Sequence, residues 1–133
     1  MADGRALIEP VRAFLGAPRC AVLSTVGAAG EPRQLVLHYM LGDDHLRING
    51  HQRRRWVGNL RRDPRVSMIV HDEGDYLHYV SLRGRATLVD DGEAALAEAM
   101  AQATRYGEDP ADFIGQPRVS FRIDPERVTE YSG

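Results

Sequence analysis

The chain has 133 residues, 43% hydrophobic and 27% charged, with a formal net charge of −2, the balance of a folded chain and not of a disordered one. A slightly acidic protein cannot neutralise many phosphates at once, so general nucleic-acid binding is not expected. Its one cysteine, Cys20, rules out an internal disulfide and a multi-cysteine zinc site, and all 17 basic residues are arginine, which removes lysine nucleophiles, Schiff bases and P-loop phosphate binding.

This length allows one domain, 1–133, with room for one moderate core. No apolar run approaches the length of a bilayer span, and the N-terminal MADGRALIEP lacks a basic segment followed by a hydrophobic one. The expectations are no membrane partner, a reducing interior and a cytoplasmic location. Cys20 sits in an apolar run and reads as a core residue.

Leu7, Val11, Phe14 and Leu15 recur at helical spacing, and Pro10 fits only a first turn, so a short helix is expected over about 9–15, ended by Gly16 and Pro18. Residues 20–26, CAVLSTV, read as a strand, and Gly27 to Gly30 as the turn of a hairpin. The second strand, 33–41, alternates: Leu35, Leu37, Tyr39 and Leu41 share one face, Gln34, Val36, His38 and Met40 the other. Both faces are apolar enough to be covered. A turn at Gly42-Asp43-Asp44 leads to a strand over 45–49.

Residues 46–70, LRINGHQRRRWVGNLRRDPRVSMIV, hold the densest positive charge. Arg53, Arg54, Arg55, Arg61, Arg62 and Arg65 fall within thirteen positions of an otherwise acidic chain, a local field that favours an anion. A helix starting near Arg53 presents free backbone N–H groups, and arginine offers a planar fork of donors to phosphate or carboxylate oxygens. Asp63-Pro64 breaks that helix before a strand at 66–71.

An acidic loop, 72–75, precedes a long strand at 76–89, also apolar on both faces, in which Gly84 marks a bulge. Asp91 reads as the N-cap of a helix over 93–106 whose buried stripe is Ala94, Leu96, Ala97, Met100, Ala101 and Thr104. Residues 107–117 form a connector. The strand at 118–123 turns Val119, Phe121 and Ile123 inward, and a further short strand follows Pro125. Strands of similar length joined by turns, with helices at the ends or gaps, predict a mainly antiparallel barrel that dimerises through its apolar strand faces.

The histidines, His38, His45, His51, His71 and His78, show no tight ligand spacing, so no metal site is expected. Ser24 lacks a GxSxG setting and Cys20 an electropositive one, which leaves no good nucleophile. A bound cofactor must then carry any reaction.

The ordered set CAVLSTVGAAGEPRQLVLHYML, ING, VGNLRRDPRVSMIV, YLHYVSLRGRATLV and RVSFRIDPERV resembles the pyridoxamine-phosphate-oxidase-like split-barrel family, and more narrowly its small branch that uses the deazaflavin coenzyme F420. The resemblance spans about 14–128. It implies a six-stranded antiparallel split β-barrel of the FMN-binding type, a homodimer, and a flavin-type cofactor in each of two clefts between subunits. Carried over by position, Arg33 to His38, with Val36 and Leu37, would lie along the tricyclic ring. Asn49 and His51 stand where family members often have Ser or Thr near the phosphate, Arg54 falls where a phosphate-binding basic residue is common, and Asn59 matches the family's Asn. His78 and Tyr79 would reach the partner subunit's cofactor. Trp56 stands where the family usually has Lys, and Gly58 where Arg is frequent; Arg53, Arg54 or Arg55 could substitute from the adjacent turn. The implied activity is hydride transfer from F420 to a small electrophilic organic substrate, with His38, His78 and Tyr79 as candidate proton donors. The alternatives are an FMN-binding protein of the same family or a non-catalytic flavin- or haem-binding module.

Overall fold

In the computed structural model, which describes residues 2–4 and 7–133, alternating apolar residues build one antiparallel sheet around a single core. The N-terminal leader expectation rests in part on residues 1, 5 and 6, which lie outside the described residues. Six long strands carry the sheet: β2 (Cys20–Val26), β3 (Pro32–His38), β5 (Leu46–His51), β6 (Arg65–His71), β7 (His78–Asp90) and β8 (Arg118–Ser132). Two short ones, β1 (Ala2–Gly4) and β4 (Met40–Leu41), bring the described strands to eight. The order is β3-β2-β6-β7-β8-β5-β4, with β1 added beside β8. The helices are α1 (Val11–Gly16), α2 (Arg55–Arg62) and α3 (Glu93–Arg105), with a 3₁₀ turn at Pro110–Phe113.

The end strands of this order, β3 and β4, are neighbours in the chain, separated by Tyr39 alone. The sheet therefore curls until its two ends meet, with the split of the barrel between them. The expected single strand at 33–41 is interrupted at Tyr39, whose backbone leaves the ladder. Its N–H donates to the Tyr106 hydroxyl at 3.3 Å, and its carbonyl accepts from that hydroxyl at 2.9 Å. Its own hydroxyl donates to the carbonyls of Leu15 (2.9 Å) and Ala17 (3.2 Å), so the fully buried ring pins the end of α1 to the barrel. Burial pushes the phenol far above its ordinary pKa, keeping it a neutral donor.

Leu23, Leu46, Ile48, Val119, Phe121 and Ile123 are fully buried, each worth roughly 1.5–3 kcal/mol when taken out of water. On β8 the apolar residues face inward as expected, and the strand continues through Pro125 without a break. Gly84 sits at a register shift between β7 and β8, where a Cβ would overlap the Asp124 carbonyl oxygen. The bulge read from the sequence is the point where the longest strand pair bends.

In a single subunit the outer face of β3 is open, with Val36 66% exposed. Four expectations change. On β7 only one face is apolar: Val80, Leu82 and Ala86 are buried, while Arg83, Arg85 and Thr87 face outward. Cys20 is exposed, as the first residue of β2 opposite His38. On α3 the buried residues are Ala95, Ala99, Gln102 and Ala103, about one position away from the expected stripe. In so alanine-rich a helix, several faces have similar apolarity, and the flat sheet surface selects the one with the smallest side chains. The carboxylate at its N-terminus is Asp90, not Asp91. Asp90 accepts from the N–H groups of Gly92 (3.0 Å) and Ala95 (2.7 Å), which hold its pKa below the ordinary range.

Asp63 is held lower still. Hydrogen bonds from the Arg65 side chain and backbone bring it from 3.8 to about 2. A depressed folded pKa gives stability that is complete above 3.8 and disappears as pH falls through about 2. Melting temperature should therefore fall as the solution is acidified across that window, and less steeply for Asp63→Asn. A variant with the wild-type slope would assign the acid sensitivity elsewhere.

Candidate functional site

The split of the barrel opens into a cleft of about 930 Å³ bounded by β3, the end of β5, the first turns of α2 and the start of β8. Ten of the thirteen residues expected from the sequence are brought to it or to its rim. Arg33, Val36, Leu37, Asn49, His51, Arg54, Arg55, Trp56 and Asn59 line the cleft. Arg53 lies in an adjoining hollow of about 540 Å³ that shares Arg33, Arg54, Arg55 and Asn59. His38, His78 and Tyr79 do not line either one. The His38 ring stacks flat on Tyr106 at 3.8 Å and its Nδ1 meets Glu108 at 3.5 Å. His78 lies between Asp72 (3.8 Å) and Glu130 (3.7 Å) against Phe14, and Tyr79 stacks on Tyr131.

The charge on the walls is one-sided. The cleft is lined by Arg33, Arg54, Arg55 and Arg118, with no carboxylate among its lining residues. Among the described residues, Arg33, Arg53, Arg54 and Arg55 form no ion pair, whereas Arg61 pairs with Asp91 and Arg65 with Asp63. Arg54 is the N-cap of α2 and Arg55 its first residue, with no acidic side chain in the first turn. Cations there oppose the positive end of the helix dipole, at a typical cost of about 0.3–1 kcal/mol each. A bound anion reverses the sign of that interaction.

The two asparagines have their amides engaged by protein. Asn49 donates to the Ala95 carbonyl (2.8 Å) and to Ser120 Oγ (2.9 Å), joining β5 to α3 and β8. Its oxygen accepts from Arg118 Nε at 2.9 Å. Asn59 donates to Thr25 Oγ1 (3.0 Å) and accepts from Arg62 (2.9 Å), fixing α2 against β2. Both therefore position the walls. Trp56 is buried over Gly50, where any Cβ would strike its ring, and it meets Phe121 at 6.1 Å. It is the anchor that seats α2 on the barrel. His51 Nδ1 accepts the Arg53 N–H at 3.1 Å, so the proton of the neutral ring sits on Nε2.

Gln34 and Leu35, within the expected stretch from Arg33 to His38, also line the cleft, and Pro32, Gly50 and Arg118 complete it; Arg118 was not anticipated. Arg118 pairs in register with His51 across β5 and β8, a juxtaposition set by strand pairing between distant parts of the chain and not by any local motif. Among the described residues, no group of three or more His, Cys, Asp or Glu is placed to hold a metal ion, and no helix is long and apolar enough to cross a membrane.

A family model described as pyridoxamine 5'-phosphate oxidase matches residues 7–132. The chain belongs to the pyridoxamine 5'-phosphate oxidase family. Among solved structures, an F420 reductase is 25% identical, with a TM-score of 0.79 over 92% of this chain and 98% of the other. A conserved hypothetical protein from Mycobacterium tuberculosis is 24% identical, with the same TM-score over 97% and 88%. The haem storage protein of Vibrio cholerae is 22% identical, with a TM-score of 0.74 over 92% and 94%. The latter two likenesses establish the split-barrel fold alone. No curated protein matches significantly.

Proposed function

We propose that this member of the pyridoxamine 5'-phosphate oxidase family is an oxidoreductase that binds the deazaflavin coenzyme F420 in the split of the barrel and acts on a small electrophilic organic molecule. The observation that carries the reading is the set of unpaired arginines at the first turn of α2, next to the apolar edge of β3. A flat ring bearing a phosphate meets both features at once. The likeness to an F420 reductase adds support.

The fit is good at each wall. Leu35, Val36 and Leu37 offer an apolar surface for a ring. Arg54 and the N–H groups of the first turn of α2 suit a phosphate. Arg33, Arg53, Arg55 and Arg62 line the adjoining hollow, with Glu31 as its one carboxylate, and suit the acidic tail that F420 carries and FMN lacks. When bound, the deazaflavin supplies two-electron hydride transfer; the chain itself binds, orients and excludes water. His51 is the one imidazole among the cleft-lining side chains, and because its Nδ1 accepts the Arg53 N–H, the neutral ring offers Nε2–H as its donor.

The active unit in this reading is a homodimer, located in the cytoplasm. Val36, Val22 and Ile69 lie opposite one another across β3, β2 and β6, which puts them on one outward face. Val36 and Ile69 remain 66% and 36% exposed. A second subunit over this stripe would cover it and wall off the open side of the cleft. Equilibrium titration of the apo-protein with F420 and with FMN tests the cofactor assignment, F420 binding more tightly.

A further inference from the structure

Arg118 is held unlike any other arginine of the cleft. Its Nε donates to Asn49 Oδ1 at 2.9 Å, its Nη1 donates to Gln116 Oε1 at 3.0 Å, and its guanidinium lies 4.9 Å over the ring of Phe113. Asn49 is itself fixed by two bonds to Ala95 and Ser120. The planar fork is thus held on two edges and one face. All of its protein partners are neutral, and no carboxylate pairs with it among the described residues. Nη2 has no protein acceptor among the described residues, on a side chain that lines the cleft.

We infer that Arg118 is a preset oxyanion ligand: with Arg54 it takes one phosphate-type group between two guanidinium ions, Arg118 being the fixed half and Arg54 the exposed, adjustable half. The electrostatics agree with the geometry. Burial first, and then the like charge of Arg54, disfavour the protonated form of Arg118. Holding two such cations near each other in a partly dry cleft without a counter-charge costs free energy, and a shared anion removes that cost. The segment 110–116, which contributes Phe113 and Gln116, thereby becomes part of the site although only Arg118 meets the cleft. Lysine could not replace Arg118, because a single ammonium cannot span Asn49, Gln116 and a ligand oxygen while stacking on Phe113.

The inference rests on the reading of the cleft as the seat of a phosphate-bearing ring, and a pair of ligands separates the two. FMN and riboflavin differ by one phosphate. Calorimetric titration of wild type, Arg118→Gln, Arg118→Lys and Gln116→Ala with each should show wild type preferring FMN about ten- to hundredfold, the size of a charge-assisted contact. Arg118→Gln and Arg118→Lys should lose most of that preference with riboflavin affinity unchanged, and Gln116→Ala should lose part of it. Gln116→Ala keeps the arginine and loosens only its hold, so it supplies the same direction of change if removal of the cation disturbs folding. A wild-type preference retained in Arg118→Gln, or absent in wild type, overturns the assignment of Arg118 and leaves ring binding intact. Wild type binding none of F420, FMN or riboflavin overturns both.

Discussion

Arg54→Ala should weaken F420 binding by about 1.5–3 kcal/mol, or roughly ten- to 150-fold, while leaving the melting temperature of the apo-protein unchanged or slightly higher. The two signs come from one side chain. Arg54 is exposed, has no ion pair among the described residues, and stands at the N-cap of α2 without a capping side-chain bond. Removing it loses a charge-assisted bond to the ligand, but it also relieves repulsion from the helix dipole and from Arg118. An arginine kept for stability behaves in the opposite way, because its loss destabilises the apo-protein and leaves affinity alone. Isothermal titration and a thermal melt on the same preparation distinguish the two. A variant with wild-type affinity would return Arg54 to the solvated surface.

Gly84→Ala should destabilise the fold by about 2–4 kcal/mol, in the upper range for overpacking. The added Cβ would overlap backbone, the Asp124 carbonyl group and Pro125 Cα, and backbone in the middle of the β7–β8 pair cannot rotate aside as a side chain can. The strands must part or the bulge must move, and both disturb the longest ladder in the sheet. Gly58→Ala is the matched control. Gly58 lies in α2 with nothing within 4 Å of the place a Cβ would take, so the same substitution should stabilise by about 0.5–1 kcal/mol through helix propensity. Urea denaturation of both variants measures the contrast. Equal effects at the two positions would mean that the bulge is softer than the contact implies.

The strands were legible because their periodicity is local. The boundaries of β2, β6 and β7 fall within about two residues of those read from the sequence, and Gly84 was found from its place in an otherwise regular strand. The helix face on α3 was not legible, since alanine at most positions leaves the choice to the sheet beneath it. Nor was the break at Tyr39, which depends on Tyr106, 67 residues later. The candidate site divides in the same way. The arginine run, Asn49 and His51 were visible as a cluster in sequence and Asn59 through the family resemblance, and the curl of the sheet brings them to β3. Arg118 was missed because only the β5–β8 register sets it beside His51. His38 stands outside the lining of the cleft because it ends β3 next to Tyr39, where its ring stacks on Tyr106.

The cofactor assignment is tested most directly by titrating the lysine-free apo-protein with F420 and with FMN over a range of ionic strength. Both ligands have a flat ring and a phosphate, but only F420 extends into an acidic tail that can use Arg33, Arg53, Arg55 and Arg62. Those arginines are exposed, so their attraction for the tail is screened once the Debye length shortens to about 10 Å at 0.1 M salt. F420 should bind more tightly than FMN at low salt, with the advantage shrinking as salt rises. Tighter binding of FMN at every salt concentration, or no binding of either ligand, would contradict the account.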